Sequence, residues 1–253
     1  MYYNAPQALQ NSGLELEFFH VPSATIATFK AFITDFSDNY TSNWNEENVY
    51  GRSDPIAIYQ GTKRVISFSW DVVAASLGEA LFNMKEIETL IKMTYPNYSA
   101  GAGGATSISS APLIKVKFVN LITDVSKMSS NGAISTVATS GLVGKIDGVN
   151  YKPKLDDGVF QGSGNMIYPK VVSLSCAFTV FHVHPLGWSN YGFRTLGFPY
   201  GLHSADDIKA QDSKTAAATK NITTGLNNVH AKEAEASAQD ITGTVNEVVG
   251  FSF

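Results

Sequence analysis

Arg64-Val65-Ile66-Ser67-Phe68-Ser69-Trp70-Asp71-Val72 is the stretch on which the fold turns. Ile66, Phe68, Trp70 and Val72 alternate with Val65, Ser67, Ser69 and Asp71. A period of two is the signature of a strand with one face on a core. Val171 to Val183 repeats the pattern: Val172, Leu174, Cys176, Phe178 and Val180 on one side, Ser173, Ser175, Ala177 and Thr179 on the other. At about 3.3 Å per residue this second strand reaches roughly 40 Å, long for a globular protein.

Further strands follow on either side. Thr25 to Thr34 places Ala27, Phe29, Ala31 and Ile33 on one face, and Leu113 to Ile122 sets Ile114, Val116, Phe118 and Ile122 opposite Lys115 and Lys117. Leu142 to Val149 leads into Asp147-Gly148-Val149-Asn150, which has turn composition, with Val159-Phe160 continuing a hairpin. One helix is expected, from Leu77 to Thr94. Ser76 and Glu79 form a capping box, Leu77, Ala80, Leu81, Met84, Ile87, Leu90 and Ile91 recur at helical spacing, and Tyr95-Pro96 ends it. The fold class is therefore mainly β with one flanking α-helix.

Between these elements lie a polar stretch from Asp35 to Gly61, a Gly/Ala/Ser linker from Ser99 to Ser110, and a polar loop with Asn131-Gly132. Residues 204–253 are poor in large apolar side chains and need something to lie on. The expected organisation is an N-terminal arm over 1–24, a β domain over 25–190 and an extended C-terminal arm over 191–253.

Composition narrows the function classes. The chain has 253 residues, 44% of them apolar and only 16% charged, with 21 glycines. Eighteen basic against 22 acidic residues give a net charge of −4, which argues against a protein that binds nucleic acid by neutralising phosphates. A single cysteine, Cys176, excludes an internal disulfide and a cysteine-based zinc site. The start, Met1-Tyr2-Tyr3-Asn4-Ala5-Pro6, carries no basic or apolar leader pattern, and no apolar run reaches the roughly 18 residues of a membrane span. Synthesis and assembly in a cytoplasm are expected, and the sequons at Asn39, Asn97 and Asn221 are read as chance.

No chemistry-bearing motif emerges. His182 and His184 are two apart, but no third metal ligand is placed beside them. Gly101, Gly103 and Gly104 lack the Gly-Lys-Ser/Thr of a phosphate loop, and Asp156-Asp157-Gly158 reads as a tight turn rather than a calcium loop. No Gly-x-Ser-x-Gly elbow occurs. Asp35, Asp38, Glu46 and Glu47 are carboxylates in one loop from which nothing selects a catalytic pair. The expectation is a non-enzyme without cofactor or metal.

One loop has the composition of a contact surface: Ser42-Asn43-Trp44-Asn45-Glu46-Glu47-Asn48-Val49-Tyr50-Gly51-Arg52-Ser53-Asp54-Pro55. Rigid aromatics bury area and arginine pairs with carboxylates bidentately. The competing reading is an ordered loop folded on its own domain. Trp44, Tyr50, Arg52 and Asp54 are the expected subunit-contact residues. Long strands with a single helix also leave sheet edges that a neighbouring chain can pair with.

This loop, the run Thr62-Lys63-Arg64-Val65-Ile66-Ser67-Phe68-Ser69-Trp70-Asp71, the Glu79-Ala80 to Tyr95-Pro96 helix, and a hairpin at Gly141 to Tyr151 followed by Val171 to Val183 carry a family resemblance. Over about residues 25 to 190 the chain resembles the tube-initiator, or baseplate-to-tail-tube adaptor, proteins of contractile-tailed bacteriophages. The resemblance implies a tail-tube-like split β-barrel, six copies of which join in a ring whose inner wall is one continuous barrel. It implies a structural virion protein of the tail baseplate, linking the central hub to the tail tube and initiating tube polymerisation. Hub, wedge and tail-tube proteins would be its partners, and the tape-measure protein and DNA would pass through the lumen without specific binding. Other readings are the major tail-tube subunit, a hub protein with cell-wall hydrolase activity, and a trimeric receptor-binding fibre head.

Overall fold

Ile66, Phe68 and Trp70 are almost wholly buried while Ser67 and Ser69 between them are half-buried, so the alternation read from the sequence is realised in a strand. The computed structural model describes residues 15–30, 32–100, 106–128, 135–189, 192–195 and 197–202, and a few positions between 213 and 224. The chain divides into two compact units, residues up to 186 with 197–202, and 187–196 with those from 203 on.

The first unit contains β1 (Glu15–His20), β2 (Thr25–Lys30), β3 (Phe32–Glu47), β4 (Ile56–Val73), α1 (Leu77–Lys92), β5 (Asn97–Ala100), β6 (Thr106–Ser110), β7 (Ile114–Phe118), β8 (Leu142–Pro153), β9 (Val159–Gln161), β10 (Ile167–Pro169) and β11 (Val171–Val180). Its main sheet has seven strands in the order β2-β1-β7-β8-β11-β4-β3, all antiparallel. β5 with β6 and β9 with β10 form separate hairpins. The second unit holds β12 (Trp188–Ser189) and β13 (Gly192–Phe193), a short pair in which Trp188 meets Phe193 edge-on.

The sheet is rolled. β1 and β4 are four strand positions apart, about 19 Å if the sheet were flat. Yet the ring of Phe18 on β1 lies 5.7 Å from Trp70 and 6.2 Å from Phe68 on β4. Phe29 on β2, one strand further out, is also 5.7 Å from Trp70. These rings, with Leu16, Ile66, Ile114, Val116, Leu174 and Phe178, fill the inside of the roll. Burying each large apolar side chain stabilises the fold by roughly 1.5–3 kcal/mol.

Among the described residues the roll does not close into a barrel: β2 pairs only with β1, and β3 only with β4. The expected split barrel is thus corrected to an open, curled sheet for the single chain. α1 explains half of the gap. It lies beside β2, where Glu86 Oε2 accepts a hydrogen bond from the Thr28 amide and Glu79 pairs with Lys30. An edge amide satisfied by a helix side chain cannot template another strand. The helix itself starts as expected, with Ser76 accepting from the Glu79 amide, but Glu79 reaches back to the Ala75 amide rather than to that of Ser76. Ala80, Ile87 and Leu90 are buried, while Leu77, Leu81 and Ile91 flank the buried stripe and stay partly exposed.

Five sequence expectations need correction or a limit. Within the supposed N-terminal arm, Glu15–His20 is a strand near the sheet's end, flanked by β2 and β7, with Leu16 and Phe18 in the core; residues 1–14 lie outside the described residues. The polar stretch from Asp35 to Gly61 is not a loop but most of β3, a turn, and the first part of β4. Asp147-Gly148-Val149-Asn150 is not a turn; it lies within β8, where Gly148 faces Ala177 beside a bulge and Asp147 accepts hydrogen bonds from Lys145 and Thr179. The ends of the Gly/Ala/Ser linker pair as β5 and β6, while Gly101, Gly103 and Gly104, like Asn131-Gly132, fall outside the described residues. Of the C-terminal arm, most positions also fall outside them, and those described between 213 and 224 are helical.

Two outcomes follow. Phe18→Ala is expected to destabilise the protein by about 3–5 kcal/mol in urea unfolding, because Phe18 touches both ends of the rolled sheet. Glu79 is held below the usual carboxylate range by its backbone hydrogen bond and by Lys30. Its stabilisation is therefore complete above the ordinary glutamate pKa and is lost as pH falls through the lower folded value. Glu79→Gln should cost about 1 kcal/mol at pH 7 and nothing measurable once the wild-type side chain is protonated.

Candidate functional site

β3 and β4 outrun the sheet. β4 pairs with β11 only from Arg64 to Val73, whereas its pairing with β3 continues through Lys63 to Ile56. Thr41–Glu47 and Ile56–Lys63 therefore form a two-stranded ribbon that extends about 23 Å beyond the sheet. Every residue from Thr41 to Gln60 is exposed. A ribbon with no covered face needs no apolar alternation, which is why this segment reads as a polar loop.

The ribbon is ordered by its own cross-strand contacts. Trp44 lies opposite Tyr59, their rings 5.3 Å apart and edge-on, and such pairs on a strand surface add a few tenths to 1 kcal/mol. The Tyr59 hydroxyl bonds to Thr62. A bulge between Asn43 and Trp44 is taken up by Gly61 at φ 152°, and the tip turns at Gly51, φ 89°, with the Arg52 amide donating to the Val49 carbonyl. Both glycines sit where a side chain would strain the backbone.

The expected contact residues are thus all on this ribbon but not gathered at one point. Trp44 stands on β3 and remains 55% exposed; Tyr50 at the tip is fully exposed. Arg52 and Asp54 are exposed in the turn, with no ion pair between them among the described residues. Ile56 and Ile58 on β4 add uncovered apolar surface that the sequence reading did not single out. The carboxylates Asp35, Asp38, Glu46 and Glu47 are strung along β3, spanning about 40 Å, rather than collected in a loop.

Where the ribbon leaves the sheet, a buried ion pair anchors it. Arg64 Nη2 lies 2.7 Å from Asp38 Oδ2 with both side chains at most 3% exposed, and Arg64 Nε donates to the same carboxylate. The hydroxyls of Tyr40 and Tyr200 also donate to Asp38 Oδ2, at 3.0 and 3.1 Å. The guanidinium lies over the rings of Tyr40 and Phe198, and Phe198 meets Tyr40 and His182 edge-on. Burial, with the Asp38 charge acting in the same direction, pushes both tyrosine hydroxyls above their ordinary pKa. His182 is displaced downward by burial and then by Arg64. Sequence reasoning missed this anchor because its members lie far apart in the chain; only an arginine in the first position of a core-facing strand run hinted at it. His182 and His184 sit beyond the end of β11, with His184 Nδ1 4.0 Å from Asp124 Oδ1.

On the sheet face away from the core, short side chains over four strands line a shallow concavity: Ser67 and Ser69 on β4, Ser175 and Ala177 on β11, and Gly148 and Asn150 on β8, with Asp35 on β3 beside them. Buried Cys176 borders this shallow concavity, its thiol pushed up by desolvation.

No family model and no curated protein matches the chain. Among solved structures, it is similar to the Dit (gp 19.1) protein of SPP1, presented as a paradigm of the hub adsorption apparatus in phages infecting Gram-positive bacteria. The identity is 7%, over 65% of this chain and 49% of that chain, with a TM-score of 0.31. The chain spans about half the length of that protein, and the score is below the level of a shared fold.

Asp38→Ala leaves a buried guanidinium unpaired and is expected to cost about 3–5 kcal/mol. Tyr200→Phe, which removes one of several donors to the carboxylate, should cost about 1 kcal/mol. Urea midpoints of the two variants check this ordering.

Proposed function

We propose that the chain is a structural protein of a bacteriophage tail baseplate: a subunit of a sixfold ring that links the central hub to the tail tube and starts tube polymerisation. The observation that carries this reading is the ribbon, two strands held in register beyond the sheet with Trp44, Tyr50, Ile56, Ile58 and Tyr59 uncovered. An isolated two-stranded ribbon is marginal in water and its apolar side chains gain by docking on another surface. The open edge of β3 supports the same reading. β2 is covered by α1, whereas no strand pairs with the free side of β3 among the described residues. In a ring that edge meets the next subunit, and six curled sheets complete one another as a continuous barrel.

The resemblance over residues 25 to 190 supplies the kind of assembly, with hub, wedge and tail-tube proteins as neighbours. The tape-measure protein and DNA pass through the lumen unheld. The short side chains that line the concavity on the outer sheet face suit such a wall. At −4 per copy the ring is acidic and repels the DNA backbone. In this reading the protein works by geometry, without enzymatic activity, cofactor or membrane, in the virion after assembly in the host cytoplasm.

Electron microscopy of the purified chain, alone and with the neighbouring tail proteins, tests this. Sixfold rings that form with the neighbours are expected. Long tubes from the chain alone would assign it instead as the major tail-tube subunit, and monomers or trimers under both conditions would overturn the ring. Trp44→Ala should leave the unfolding midpoint within about 0.5 kcal/mol of wild type, as for other exposed positions. It should lower the yield of rings about tenfold; a variant that assembles like wild type would remove the ribbon from the interface.

A further inference from the structure

A second device lies at the foot of the ribbon. The turn 197–202 belongs to the first unit although the residues on both sides of it belong to the second. It is held by a small set of contacts. Phe198 lies under the Arg64 guanidinium and edge-on to Tyr40 and His182; the Tyr200 hydroxyl donates to Asp38, and Asn120 Nδ2 donates to the Tyr200 carbonyl. Gly201 comes so close to Met128 that a Cβ there would lie 2.7 Å from the sulfur.

His182 meets this arrangement at Phe198. Its ring is 6.0 Å from that of Phe198, and its Nε2 is buried with no hydrogen-bond partner among the described residues. The charged and titratable groups facing it are Arg64 on β4, Asp38 on β3, and His184 and Asp124 in the adjoining loops. Burial, Arg64 and His184 oppose a charge on the imidazole; Asp124 and Asp38 favour it but do not prevail.

We propose that 197–202 is a proton-released clasp: protonation of His182 parts its ring from Phe198 and frees the turn from the foot of the ribbon. An imidazolium at this place faces a guanidinium, and its buried Nε2 proton has no acceptor among the described residues. The closed form therefore favours the neutral ring more than the open form does. By linkage, closure is fully favoured above the ordinary histidine pKa and is weakened as pH falls through the lower value of the closed form. The clasp does not depend on the ring assembly proposed above.

Hydrogen exchange of the full chain tests it, read on peptides covering 197–202 between pH 7.5 and 5.0 and corrected for the intrinsic rate at each pH. Protection of the turn is expected to fall at least tenfold along a one-proton curve, while β11 stays protected. In His182→Gln the turn should change less than twofold over the same range, and His184→Gln should keep the wild-type response. A wild-type turn that is flat with pH, or an equal acid loss in His182→Gln, would overturn the clasp. If His182→Gln loses β11 protection and so fails to fold, the decision passes to the wild-type protein: its exchange midpoint must coincide with the His182 ring titration seen by NMR, and a mismatch overturns the proposal.

Discussion

The Arg64–Asp38 pair is the contact on which this architecture depends. It sits at the last position where β4 is paired on both sides, between β3 and β11. Burying two charges costs several kcal/mol per ion before their attraction is counted, so the pair survives only if its remaining hydrogen-bonding capacity is met. That requirement explains its surroundings. Tyr40 comes from β3 itself, Tyr200 from a turn 162 residues away, and both hydroxyls reach one carboxylate oxygen. A single buried carboxylate thereby gathers three segments at one place and sets where the sheet stops and the ribbon begins.

The rolled sheet answers a different constraint. Seven strands with one long helix beside them among the described residues cannot cover both faces of a flat sheet, so the apolar faces of β1 and β2 turn onto β4 and the sheet supplies much of its own second layer. The helix is then free for the edge. Glu86 and Glu79 tie α1 to β2, one end of the sheet, and leave the other end to β3. The asymmetry between a covered edge and an uncovered one gives the sheet a direction, which the proposed head-to-tail ring would require.

What could be read from the sequence follows from burial. Strands β4 and β11 and helix α1 were legible because each has one apolar and one polar face, and the capping box at Ser76 and Glu79 marked the helix start. β1 was passed over because it is short, with Leu16 and Phe18 alternating with Glu17 and Phe19 too briefly to stand out. The ribbon was hidden for the opposite reason. A strand exposed on both faces carries no hydrophobic period, so Thr41 to Gln60 resembles a loop. Trp44 and Tyr50 were therefore found as exposed residues, whereas their support, Tyr59 across the ladder, was not. The turn composition at Asp147-Gly148 misled because Asp147 is the unpaired residue of a bulge, between Ile146 and Gly148, and accepts a hydrogen bond from Thr179. Tyr200, Phe198 and His182 became neighbours of Arg64 only through tertiary folding, which no local pattern records.

β4 also has a mechanical meaning. The same 18-residue strand that forms one side of the ribbon runs without a break into the sheet, between β3 and β11. A pull on the ribbon along its axis is carried into the sheet parallel to the strands, so the rungs to β11 from Arg64 to Val73 bear the load together. A hairpin hung from a loop would instead peel one hydrogen bond at a time. The ribbon is built as a tension member, able to pass force into the core without first unravelling its own root.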